Sequence, residues 1–187
     1  MCWNLNIVDS SILHNLYSSD TNRKISALSK LAQTSDEVII EKIISLLDDD
    51  EIRVRGEVFS TLFQNKNDIS VKLIDGLHNP SKNIRAFCSI ILANRNDKNA
   101  INSIIKLVTD SSDMVRSCAF GSLGYLRAKK AKEEIHHGIF DSNIEAKKSA
   151  AYALILINED FSVQERKELE VQKDPDFKKI LEKIINN

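Results

Sequence analysis

Apolar residues recur along this chain at steps of three and four, the spacing of one face of a helix. One stripe contains Val115, Ala119 and Leu123 at steps of four. A second stripe comes before it, from Ile101 to Val108, and a short polar segment separates the two. The alternation of apolar and polar residues that is typical of strands is missing. The pattern therefore predicts pairs of helices.

The helix pairs repeat along the chain. Each second stripe is preceded by a cation, and the cations lie 30 or 31 residues apart, at Lys24, Arg55, Arg85, Arg116, Lys147 and Lys178. Because one pair of helices cannot bury its apolar face alone, neighbouring pairs are expected to stack. The expected organisation is a single domain over 1–187, with repeat units at approximately 4–34, 35–65, 66–95, 96–126, 127–157 and 158–187.

The repeated segment resembles a known family of helical repeats. Its residues Asp110, Val115, Arg116, Ala119 and Leu123 are similar to the signature of HEAT-like repeats, in particular the short subclass first named for phycobilisome lyase proteins. The resemblance implies two antiparallel helices in each repeat, with the second helices lining a concave face. It also implies protein binding in most members, and nucleic-acid binding or enzyme activity in a few. The fold class expected is an all-α, right-handed α-solenoid of about six two-helix repeats.

The six repeated cations form what we call the ladder. Each lies near the start of a second helix, where an uncompensated positive charge opposes the helix dipole. Asp49, Asp110 and Asp141 lie in the polar segments before second helices and can pair with the cation of their own repeat or of a neighbouring one. We therefore interpret the ladder as structural and not as a ligand-binding strip.

The second helices also carry the candidate partner-binding surface. The resemblance implies that positions one, two and five beyond each ladder cation point to the concave face. These positions are small or apolar in the middle of the chain, and the candidate binding residues are Phe87, Ile90, Cys118, Tyr152 and Glu57. Such side chains either form a groove for a peptide or helix of another protein, or pack between neighbouring repeats.

Charge is unevenly distributed, although the formal net charge is only −1. Residues 82–132, the basic band, hold ten lysines and arginines against three acids. The densest part is a basic patch of Arg127, Lys129, Lys130 and Lys132. It is either a solvated loop or a contact for an acidic partner, including one that carries phosphate. Binding of nucleic acid or another polyanion through the band is thus the alternative function.

No motif for catalysis appears in the sequence. G-x-S-x-G, P-loop and dinucleotide-binding patterns are absent, and adjacent His136 and His137 diverge by about 100° on a helix. The three cysteines, Cys2, Cys88 and Cys118, match no metal or redox spacing and are expected to be reduced thiols. No enzyme activity, metal or cofactor is therefore expected.

The expected location is the cytoplasm, because the sequence shows neither a secretory signal at its start nor an apolar run long enough to cross a membrane. The leading functional prediction is a non-enzymatic scaffold or adaptor that binds a partner protein or peptide on the second-helix face. The sequence leaves the partner's identity and the oligomeric state open.

Overall fold

The computed structural model describes residues 10–172 and 174–185, so Cys2 and Trp3 lie outside the described residues. These residues form helices and no strands, which confirms the predicted all-α class. The helices are α1 (Ser10–Leu16), α2 (Thr21–Lys30), α3 (Glu37–Ser45), α4 (Ile52–Gln64), α5 (Ser70–Gly76), α6 (Lys82–Asn94), α7 (Ile101–Ile105), α8 (Asp113–Tyr125), α9 (Lys132–Gly138), α10 (Ile144–Ile157), α11 (Val163–Glu170) and α12 (Pro175–Ile185). Within the described residues, no helix combines the length and the apolar character needed to cross a membrane.

Two compact units divide the chain, one ending at Lys72 and the other beginning at Leu73. In the first unit, α2 packs against α1 and α4. In the second unit, α8 packs between α6 and α10, so these three second helices form one layer. The expectation of a single domain with the repeat bounds given above stays a prediction.

Polar side chains cap the starts of α6 and α10, whereas α4 and α8 begin without a side-chain cap. Ser81 accepts hydrogen bonds from the N–H groups of Asn83 and Ile84 at the start of α6. Asn143 does the same for Glu145 and Ala146 at the start of α10. These caps satisfy N–H groups that have no partner within the helix.

The ends of three second helices repeat a left-handed turn. Residues with positive φ follow α6, α8 and α10 at intervals of 31, at Asn96, Arg127 and Asn158. The N–H groups that follow return to carbonyls in the last turn, as when Ala128 donates to Leu123. This hydrogen bond is characteristic of a Schellman cap. The first helices are less regular, because 3-10 turns at 98–100 and 106–109 flank α7.

Close packing between α8 and α10 depends on small residues. A Cβ added at Gly124 would lie 2.7 Å from the Cα of Ala153, so the backbones approach too closely for any side chain there. A Cβ added at Gly121, one turn earlier on α8, would meet nothing within 4 Å. The two glycines therefore have opposite structural roles.

We expect alanine substitutions at these glycines to have opposite effects. Gly121→Ala should stabilise the protein by about 0.5–1 kcal/mol, since alanine restricts the unfolded chain and meets no neighbour. Gly124→Ala should destabilise it by roughly 1–3 kcal/mol, because α8 and α10 must separate. Urea unfolding of both variants checks this expectation, and changes of the same sign would contradict the packing described here.

Candidate functional site

The ladder cations connect neighbouring repeats in both units. The Lys24 Nζ lies 2.5 Å from Asp49, and Arg85 and Arg116 each make two side-chain contacts of 2.7 and 2.8 Å with Asp110 and Asp141. In every pair the aspartate follows its cation by 25 residues and lies before the second helix of the next repeat. The arginine pairs are thus bidentate, the strongest geometry for such an interaction.

The arginines also hold the polar segment of their own repeat. Arg85 Nη1 donates to the carbonyl oxygens of Asn79 and Pro80, and Arg116 Nη1 donates to that of Asp110. Arg55 makes the corresponding bonds to the carbonyls of Asp49 and Asp50. These guanidinium groups are therefore occupied by the protein's own backbone and carboxylates.

Arg55 and the last two ladder positions depart from this pairing, and Pro80 stands 25 residues after Arg55. Lys147 is buried and pairs with Glu168, which lies 21 residues later. Lys178 lies on the exposed side of α12. The environment of the repeated cation therefore varies along the chain. For Lys147, Gln172 stands at the position where the pattern would place an aspartate.

The ladder makes stability depend on pH. The hydrogen bonds from Arg85 and Arg116 lower the pKa values of Asp110 and Asp141 respectively. An aspartate with a lowered pKa in the folded state stabilises the fold above its unfolded pKa of about 3.9, and that contribution is lost as pH falls through the lower folded value. We expect the free energy of unfolding to decline below about pH 4, as urea titrations at several pH values would show. Asp141→Asn should reduce the slope, and an unchanged slope would exclude this carboxylate as a contributor.

The predicted partner-binding residues of the second unit lie together on one layer. Phe87 and Ile90 are on α6, Cys118 is on α8 and Tyr152 is on α10, and all four are half-buried. They therefore contribute to packing and also present part of their surface to solvent. Glu57 lies on α4 in the other unit, where its carboxylate accepts a hydrogen bond of 2.9 Å from Ser29.

Sequence reasoning missed the most exposed member of this surface. Tyr125 ends α8 and is 59% exposed. It lies one helical turn beyond exposed Gly121, on the same face. The predicted positions ended five residues beyond each ladder cation, and including the position four residues further along the helix would have found it. We call Phe87, Ile90, Cys118, Tyr125 and Tyr152 the apolar face.

The basic patch lies at the turn between α8 and α9. Arg127, Lys129, Lys130 and Lys132 are all exposed. Arg127 donates to the carbonyl oxygen of Leu156 in the last turn of α10. Lys132 lies 3.8 Å from Glu133. The patch is therefore a solvent-facing cluster of charge at the ends of α8 and α10.

The described residues show little capacity for thiol or metal chemistry. Burial raises the pKa of Cys88 to about 12 and that of Cys118 to about 11, so both thiols are protonated at neutral pH. His136 contacts Glu165 at 2.6 Å, whereas His137 is exposed. No group of three histidine, cysteine or acidic side chains is placed to hold a metal ion within this part of the chain.

Comparison with known proteins identifies the repeat. Residues 69–155 match the HEAT repeats family, and this range contains α6, α8 and α10. This part of the chain consists of HEAT repeats. A comparison with curated proteins gave no match.

Solved structures share the HEAT-repeat fold at low sequence identity. The complex of CpcE and CpcF of phycocyanin lyase from Nostoc sp. PCC7120 is 19% identical, with 91% of this chain and 73% of that chain covered and a TM-score of 0.57. A designed armadillo repeat protein in complex with the peptide (KR)4 is 17% identical, with 94% and 97% covered and a TM-score of 0.54. A TOG domain from C. elegans Zyg9 is 13% identical, with 95% and 81% covered and a TM-score of 0.56. These likenesses confirm the α-solenoid fold.

Proposed function

We propose that this protein is a non-catalytic scaffold that binds a partner protein or peptide on the apolar face of α6, α8 and α10. The observation that carries the proposal is the set of partly exposed apolar side chains on one layer of helices, with Tyr125 and Tyr152 as aromatic members. Aromatic side chains in such positions often dominate the energy of protein interfaces. The exposed Gly121 leaves open space between them for a side chain of the partner.

The fold comparisons support a binding role of this kind. The designed armadillo repeat protein of similar fold is described as a complex with a peptide, and CpcE is described in complex with CpcF. Repeat proteins present extended surfaces because each repeat contacts only its neighbours. A partner segment lying across several second helices is consistent with that architecture.

The alternative, nucleic-acid or polyanion binding through the basic band, has weaker support. Arg85 and Arg116 are held by aspartates, and Arg127 is engaged with a backbone carbonyl. Nucleic-acid binding needs lysines and arginines that are free to contact phosphates and so release the counterions condensed on the nucleic acid. The band therefore offers fewer available cations than its composition indicates.

The proposal predicts a selective loss of binding from two substitutions. Phe87→Ala combined with Tyr152→Ala should reduce the partners captured from a lysate by at least tenfold, because both truncations remove contact area on the apolar face. Circular dichroism should show unchanged helix content. Val163→Ala is the matched control, since Val163 is 72% exposed on α11, away from this layer. Equal capture by the double variant and the native protein would contradict the proposal.

A second variant tests the same surface without truncating a packed residue. Gly121→Leu should block binding by filling the open space over α8, where an added Cβ meets no atom within 4 Å. Gly56→Leu is its control, because Gly56 has equally open surroundings on α4 in the other unit. Full binding by the Gly121 variant would also contradict the proposed location.

A further inference from the structure

Three lysines at the ends of the second helices have no partner that explains their placement. Lys98 follows the turn after α6, and Lys129 and Lys130 follow the turn after α8. All three are exposed, and no carboxylate of the described residues lies within ion-pair distance of them. Lys98 and Lys129 are 31 residues apart and so occupy equivalent positions in neighbouring repeats. Together with Arg127 they form what we call the basic edge.

The basic edge borders the apolar face. Tyr125 lies two residues before Arg127 at the end of α8. The Arg127 guanidinium donates to the carbonyl of Leu156, one helical turn beyond Tyr152 on α10. Tyr125, Arg127, Lys129 and Lys130 therefore lie at the carboxyl end of α8, and Arg127 joins this end to the last turn of α10, one turn beyond Tyr152.

Stabilisation of a helix end explains Arg127 but not the lysines of the basic edge. A cation beside the last carbonyls of a helix is favourable, and Arg127 has that role for α10. Lys129 and Lys130 make no corresponding bond, and they are adjacent like charges. The acid nearest in sequence to Lys98 is Asp97, whose Oδ1 accepts the Asn99 N–H and whose Oδ2 is buried. The edge thus keeps a net positive charge toward solvent.

The other end of the same helices is mixed in charge. Asp113 and Glu145 are exposed at the starts of α8 and α10, whereas Lys82 is exposed at the start of α6. The lysines of the basic edge lie beyond the carboxyl ends of α6 and α8, and exposed Asp160 occupies the equivalent position beyond α10. An acidic partner is therefore favoured over the ends of α6 and α8.

We infer that the partner segment is an acidic peptide in which aspartate or glutamate residues adjoin aromatic or aliphatic anchors. This inference rests on the proposed function and adds the chemistry of the ligand. The anchors occupy the space over Gly121, between the side chains of α6 and those of α10. The carboxylates lie at the carboxyl ends of α6 and α8, against Lys98, Lys129 and Lys130.

Synthetic peptides test the two parts of this ligand separately. Fluorescein-labelled peptides of about 16 residues, long enough to cross three helices, would be titrated with the full chain. The first peptide alternates glutamates with leucine and phenylalanine anchors. The second has glutamine for every glutamate, the third has serine for every anchor, and a single-stranded oligothymidine serves as a polyanion without anchors. The first peptide should bind at least tenfold tighter than each of the others.

Substitutions in the protein distinguish the inference from the proposed function. Lys129→Glu combined with Lys130→Glu should weaken the first peptide at least tenfold and leave the glutamine peptide unchanged, because charge attraction is replaced by repulsion. Lys167→Glu, at an exposed position on α11, is the charge control. Equal binding of the first two peptides, lost in the Phe87→Ala and Tyr152→Ala variant, would overturn the acidic ligand but retain the apolar face.

Two other results would overturn the inference. Oligothymidine and the serine peptide binding as tightly as the first peptide would show polyanion recognition instead, and would also count against the proposed function. Failure of the first peptide to bind at about 200 μM, where even weak interface contacts are detected, would exclude this class of ligand.

Discussion

Replacing Leu123 by alanine is expected to lower the free energy of unfolding by about 2–5 kcal/mol. Leu123 lies in the middle of α8 and is fully buried, with no exposed surface. Its truncation removes apolar contacts from the layer in which α8 lies between α6 and α10, and it leaves a cavity that close-packed neighbours fill only partly. Urea or guanidinium unfolding followed by circular dichroism measures the loss.

Tyr125→Ala is the matched control for this experiment. Tyr125 lies two residues later on the same helix but is 59% exposed, so its truncation should change stability by less than about 1 kcal/mol. A loss for Leu123→Ala well below 2 kcal/mol, or as small as that of the control, would mean that this stripe is not the core of the repeat.

Asp141→Asn is expected to cost roughly 3 kcal/mol, because it leaves the Arg116 guanidinium largely buried without its carboxylate. The two side chains are only 15% and 9% exposed and are joined by two hydrogen bonds. Asparagine can still accept the N–H of Asn143 through its side-chain oxygen, so the turn before α10 is kept. The measured loss therefore reports mainly on the ion pair. Denaturant unfolding at neutral pH gives its size.

Two further variants separate this pair from ordinary surface charge. Glu133→Gln removes the partner of Lys132, but that pair is 3.8 Å apart and well exposed, so the change should be below about 1 kcal/mol. Arg116→Met combined with Asp141→Asn should recover part of the stability lost by Asp141→Asn alone, since no unpaired cation remains. An effect of Asp141→Asn no larger than that of Glu133→Gln would show that the ladder adds little to stability.

The helix pairs follow from the sequence because their apolar stripes have a strong period. Val115, Ala119 and Leu123 are fully buried on α8, at the spacing that predicts a helix face. The sequence also indicates that acids in the polar segments can pair with the ladder cations. Spacing alone leaves open whether Arg116 pairs with Asp110 or Asp141, since both lie near a helix start. The structure distinguishes them. Arg116 donates to the backbone carbonyl of Asp110 and to the carboxylate of Asp141, so Asp141 is the ion-pair partner.

The surface is harder to predict, because exposure depends on how neighbouring helices pack. Phe87 and Tyr152 stand at positions that the resemblance implies to face inward, but only the structure shows that each is half-buried. Tyr125 has no distinguishing signal except its place one turn beyond Gly121. The sequence identifies Lys129 and Lys130 as part of a basic patch, whereas Lys98 is only one charge of the basic band, and the structure places it at the equivalent position after α6.

The pairing between repeats has a consequence for the length of the array. Residues 96–126 contain both halves of the connection, because Asp110 receives Arg85 from the preceding repeat and Arg116 extends to Asp141 in the following one. A module of this kind is self-complementary. A tandem copy inserted directly after it would find an arginine for its aspartate on one side and an aspartate for its arginine on the other. Duplication could therefore lengthen the protein while keeping the same ion pair between repeats.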